Sequence, residues 1–142
     1  MEGPAVGVPQ GDRALRDRPL NPRRIYGRAA AVVLAIEIGI AVFVDDALIR
    51  PYFGDALAVV LVYLGARWLL PLRPVTAAAG ALALAVAIEL AQYFHMLAVL
   101  GLEHNRLART ILGGVFDPVD LVAYASGAAA ALIVERVRGE RL

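Results

Sequence analysis

The sequence predicts an all-α membrane protein, a bundle of four transmembrane helices with both termini in the cytoplasm. Three observations predict it. Hydrophobic residues make up 60% of the chain and mean hydropathy is +0.66, whereas a soluble domain is about 45–50% apolar. The apolar residues fall into four runs near the roughly 17–25 residues that a spanning helix needs. The arginines concentrate on alternate connections, as the positive-inside rule demands.

Taken in order, residues 1–27 carry Pro4, Pro9, Pro19 and Pro22 among Arg13, Arg16, Arg18, Arg23 and Arg24, the composition of a disordered basic tail. The apolar run that follows is too long for a signal peptide and ends at Asp45-Asp46. It therefore reads as an uncleaved first span, from about Ile25 to Val44. A polar loop from Asp45 to Phe53 is punctuated by Pro51 and Gly54. The second span runs from about Gly54 to Leu70, with Arg67 and Trp68 near its far end, where Arg snorkels and Trp suits the interface. Pro71, Arg73 and Pro74 make a tight turn. The third span, about Val75 to Leu97, begins with an Ala-rich half suited to close helix packing. A loop from Ala98 to Phe116 leads to a fourth span from about Pro118 to Val137, and proline is favourable at a helix start. The spanning domain thus covers 28–138, with 139–142 as a second short tail.

Composition excludes several chemistries. The chain has no cysteine, so disulfides, thiol catalysis and cysteine-ligated metals are ruled out. Two histidines, His95 and His104, cannot build a His-rich metal centre. No metal, cofactor or nucleic-acid partner is expected, and the expected partner is the lipid bilayer. A net charge of +1 from 14 Arg and 13 acids carries no weight by itself.

The candidate site comes from polar residues inside apolar helices, where ionisable groups are costly and mark function by default. Glu89 and Gln92 are three apart and share a helix face, as do Asp117 and Asp120, with Tyr124 and Gly127 continuing the second face. Counted at about 1.5 Å per residue, Asp55, Glu89, Asp120 and Tyr124 converge on one end of the bundle. Arg50, Arg106 and Arg109 lie in the connections at that end. Each residue also has a plainer role. Glu89, Gln92 and Tyr124 can glue helices by hydrogen bonds. Asp55, Asp117 and Asp120 can cap helix N-termini, and the arginines can be solvated interface residues. Gly113-Gly114 is either a tight lead-in to the fourth helix or a backbone nest for an anion. Glu37, near the middle of the first span, must face the bundle interior, pair or be protonated.

Arg50-Pro51-Tyr52-Phe53-Gly54-Asp55, Glu89-x-x-Gln92, Arg109 and Gly113-x-x-Phe116-Asp117-x-x-Asp120-x-x-Ala123-Tyr124-x-x-Gly127 carry a resemblance to a family of short bacterial integral membrane proteins of unknown function, over about Glu37 to Gly127. That family is similar to VanZ-like membrane proteins, which are linked to glycopeptide (teicoplanin) resistance. Asp55, the Glu-x-x-Gln pair and the two aspartates match the VanZ pattern. Ala56 and Val59 stand at its basic positions, and Tyr124 replaces its later Asn.

Together these readings give an inner-membrane, multi-pass envelope protein. Its outward-facing pocket of Arg50, Asp55, Glu89, Gln92, Arg106, Arg109, Asp117, Asp120 and Tyr124 would bind the head group of an anionic lipid or cell-wall precursor. A membrane hydrolase or transferase using Glu89 and Asp120 as acid and base, and a structural or assembly protein without a ligand, are the alternatives. Transport ranks below them, because the inner halves of the second and fourth spans carry no ionisable group apart from Arg67 and Glu135, read as interfacial.

The topology is directly testable. With no native cysteine, Asn105→Cys is expected to react with an impermeant thiol reagent in intact cells and Leu72→Cys is not. The reverse labelling pattern would overturn the orientation.

Overall fold

The computed structural model describes residues 22–46, 49–139 and 141. Among the described residues six helices follow one another: α1 Pro22–Phe43, α2 Ile49–Leu69, α3 Pro74–Tyr93, α4 Met96–Val99, α5 Arg106–Leu112 and α6 Pro118–Val137. No strand occurs among the described residues. α1, α2, α3 and α6 are each long and apolar enough to cross a membrane. At 22, 21, 20 and 20 residues each is about 30 Å long, the thickness of a bilayer's hydrocarbon core.

Several boundaries differ from those expected. Residues 1–21 of the proposed tail lie outside the described residues, but its last six, 22–27, already belong to α1. Pro22 opens that helix, a position where its missing N–H costs nothing. α2 likewise starts at Ile49 rather than Gly54, because Pro51 falls in the first turn and breaks no internal bond there. α3 stops at Tyr93 instead of Leu97. The interruption is His95, whose φ of 52° is left-handed, a region that His visits more readily than most residues. The expected loop from Ala98 to Phe116 contains α5, capped where Ala108 N–H donates to the Asn105 side chain at 3.1 Å.

α2 sits at the centre, against α1 on one side and α3 and α6 on the other, and α3 also packs on α6. The packing faces are built from small residues. α3 buries Ala77, Ala78, Ala81, Ala85 and Glu89, and α6 buries Ala123, Tyr124, Gly127, Ala128, Ala131 and Glu135. Both sets follow the three-to-four spacing of one helical face. In lipid no hydrophobic force draws apolar helices together, so association rests on close backbone approach and interhelical hydrogen bonds. The outer faces are apolar instead, as with Val42, Phe43, Val122 and Val137, all more than half exposed. A patch that continuous belongs against lipid.

α2 and α6 approach each other closely at Gly127. A Cβ added at Gly127 would lie 2.2 Å from the Ala56 carbonyl oxygen. Gly127→Ala is therefore expected to destabilise the bundle by about 1–3 kcal/mol through overpacking. Gly65→Ala, at a site open to at least 4 Å, is expected to be neutral or to gain up to about 1 kcal/mol of helix propensity. Thermal melts in detergent check the pair. Equal melts would mean that the two helices do not cross this closely.

Candidate functional site

Two polar clusters occupy opposite ends of the bundle. The first lies at the end where α2 and α6 begin and α3 finishes. α2 supplies Asp55, α3 supplies Glu89, and α6 supplies Asp120 and Tyr124. On α6 the positions 120, 124, 127, 131 and 135 form one face, and the close contact at Gly127 presses that face onto α2 beside Asp55.

Tyr124 is buried, and its hydroxyl donates to Glu89 Oε1 at 2.8 Å. Glu89 is only 2% exposed. Its second oxygen, Oε2, is buried and has no hydrogen-bond partner among the described residues. A buried acceptor left open costs about 1–3 kcal/mol, more when charged, so it demands an explanation. Asp55 and Asp120 are half-buried and lie side by side, close enough to interact directly. No three His, Cys, Asp or Glu side chains among the described residues assemble into a metal-holding group.

A groove of about 100 Å³ leads away from this cluster between α2 and α3. Asp55 and Tyr124 form its polar end, and Val59, Val62, Ala81 and Leu84 line its apolar length. The arrangement places hydrogen-bonding groups at the head of a slot fit for a hydrocarbon.

The remaining candidates lie apart from the carboxylates. Gln92 donates to the Ile111 carbonyl at 2.8 Å and lies against Gly114, where a Cβ would meet its amide at 3.0 Å. It ties α3 to the last turn of α5 and explains Gly114 as a close-packing position. Arg109 donates through Nε and Nη2 to the Glu103 carbonyl, at 3.2 and 2.7 Å, bracing the loop. Arg106 is exposed in the first turn of α5. Asp117 caps α6, accepting from Val119 N–H at 2.9 Å. Arg50 lies in the first turn of α2, and its side chain is outside the described residues. Of the nine candidates, the structure thus brings together Asp55, Glu89, Asp120 and Tyr124. Glu37 is half-buried on α1, with Oε1 buried and lacking a hydrogen-bond partner.

The second cluster escaped the sequence reading. At the other end, Tyr63 donates to Glu135 Oε1 at 2.7 Å and Tyr26 donates to Glu135 Oε2 at 3.2 Å. Arg67 donates to the Tyr26 hydroxyl at 2.6 Å, lies 4.6 Å from that ring's centre, and also donates to the Leu72 carbonyl. Tyr26, Tyr63 and Glu135 are almost fully buried. Arg67 was expected to snorkel to the interface, but it turns inward because a phenol and a turn carbonyl accept its N–H groups there. One signal was present. Glu135 repeats the face of Tyr124 and Ala131, and Tyr63 precedes Arg67 by one helical turn.

The model of a family described as "Protein of unknown function (DUF2809)" matches residues 44–128. No curated protein and no solved structure matches the chain. The matched stretch contains all four residues of the carboxylate cluster and both sides of its groove.

Proposed function

The chain belongs to this DUF2809 family, and from that premise we propose that it binds an envelope lipid, or a lipid-linked cell-wall precursor, by its head group. The head group would carry donors, a hydroxyl or an ammonium. The observation that carries this reading is the buried Glu89 Oε2 with no partner. A donor from the ligand would complete it, while Asp55 and Asp120 meet a second donor and the hydrocarbon chain lies in the groove between α2 and α3. Arg106, exposed on the same end, is where a phosphate would sit, making a charge-assisted bond. Arg109 would act indirectly by holding the loop in place.

In this reading the protein is a bacterial inner-membrane protein with both termini inside, and the carboxylate cluster faces outward. The arginine distribution supports that orientation, and the resemblance of Asp55, Glu89, Gln92 and Asp120 to the VanZ-like pattern supports an envelope role. A second reading is favoured by the pairing of the Asp55 and Asp120 carboxyls beside Glu89. Such a pair can donate a proton from one carboxyl while the other accepts, as general acid–base catalysis requires. A hydrolase or transferase acting on the same lipid class would use that pair with Glu89.

Mass spectrometry of lipids that co-purify with the full chain tests the binding reading. Wild type is expected to retain a lipid with a hydroxyl- or amine-bearing head group. Glu89→Gln converts the open acceptor and is expected to cut its retention about tenfold, as is Asp120→Asn. An identical lipid complement in all three proteins would contradict the proposal. A changed head group on the lipid in wild type alone would favour the catalytic reading.

A further inference from the structure

The end of the bundle that carries the second cluster has a groove of its own. α1 rests on α2 without touching α6 along the backbone, which leaves a seam between α1 and α6. Within it lies a groove of about 240 Å³. Its walls are apolar, formed by Ala29 of α1, Val60 and Leu64 of α2, and Ala131 and Val134 of α6. Tyr63 and Glu135 line its inner end, and Arg138 lines it where α6 finishes.

The charges here are arranged differently from those at the loop end. Both Glu135 oxygens already accept phenolic hydrogen bonds, so this carboxylate is satisfied from within and asks nothing of a ligand. The cation, by contrast, is outward. Arg138 is exposed, with its guanidinium 5.8 Å from the Tyr26 ring centre. Arg24 and Arg28 are exposed one turn apart on α1 at the same end, and Arg28 adjoins the groove residue Ala29. A basic rim above an apolar slot complements one kind of molecule, a lipid with a net negative head group and a free acyl chain.

We propose that the seam between α1 and α6 is a second lipid site that takes an anionic phospholipid, with its acyl chain between Ala29, Leu64 and Val134 and its phosphate on Arg138. The guanidinium offers a fork of N–H donors matched to phosphate oxygens. The anionic lipids of the cytoplasmic leaflet are drawn to basic segments at the membrane surface, and the arginines that set the topology supply that attraction. The site is separate from the carboxylate cluster and stands whether or not that cluster binds a ligand.

Native mass spectrometry of the full chain in detergent tests it, with phosphatidylglycerol and phosphatidylcholine of identical acyl chains added in equal amounts. Wild type is expected to retain phosphatidylglycerol in preference. Arg138→Gln alters an exposed residue at the end of α6 and is expected to lose about fivefold of that preference, the worth of one arginine near an anionic surface. Ala130→Leu, which fills the groove from an exposed position, is expected to lower retention of both lipids. Glu89→Gln at the opposite end is expected to leave the phosphatidylglycerol preference intact. Equal retention of the two lipids by wild type would overturn the proposal, and so would a preference undiminished in Arg138→Gln or a lipid retention undiminished in Ala130→Leu.

Discussion

The approach of Gly127 to the Ala56 carbonyl governs the rest of the bundle. α2 and α6 run parallel, and any side chain larger than hydrogen at position 127 would push them apart. With the glycine in place, Asp55 reaches Asp120 at one end of the contact. At the other end Tyr63 reaches Glu135. Alanines on α3 then seat that helix against the α2–α6 pair, close enough for Glu89 to meet Tyr124. In lipid, where apolar burial alone gives little selectivity, such contacts between small residues decide which helices associate.

The two buried glutamates differ in one respect that carries the functional reading. Glu135 and Glu89 are equally buried, at 2% exposure. Glu135 has a phenol on each oxygen and a guanidinium one hydrogen bond away. It joins α1, α2 and α6, and Arg67 extends the join to the α2–α3 turn. That network is complete, as a structural tie should be. Glu89 has a phenol on one oxygen only, beside the carboxyls of Asp55 and Asp120. That incomplete network inside a packed bundle is what the proposed ligand-binding reading rests on.

Much of this was legible in the sequence. Spans of adequate length and their number follow from apolar run length, and the meeting of Asp55, Glu89, Asp120 and Tyr124 follows from helical periodicity together with alternating helix direction. Asp117 as a cap follows from its place before Pro118. What could not be read is where long side chains turn. Arg67 and Glu135 lie near helix ends, where the general expectation is an outward, hydrated charge, and only the partners on α1 and α2 turn them inward. Arg109 looked like an anion ligand because of its neighbourhood, yet a loop carbonyl on Glu103 takes it. The break at His95 depends on a single left-handed residue, which run-length reasoning does not detect.

The direct test of this account compares the two glutamates by equilibrium stability in detergent, using Glu135→Leu and Glu89→Leu. The account predicts that Glu135→Leu costs about 3–5 kcal/mol, because it strands two buried phenols and leaves the half-buried Arg67 guanidinium beside them without its carboxylate. It predicts that Glu89→Leu stays within about 1 kcal/mol of wild type or gains stability, since removal of the buried unsatisfied carboxylate oxygen offsets the cost of stranding the single Tyr124 hydroxyl. A loss at Glu89 as large as that at Glu135 would contradict the account and identify both clusters as structural ties.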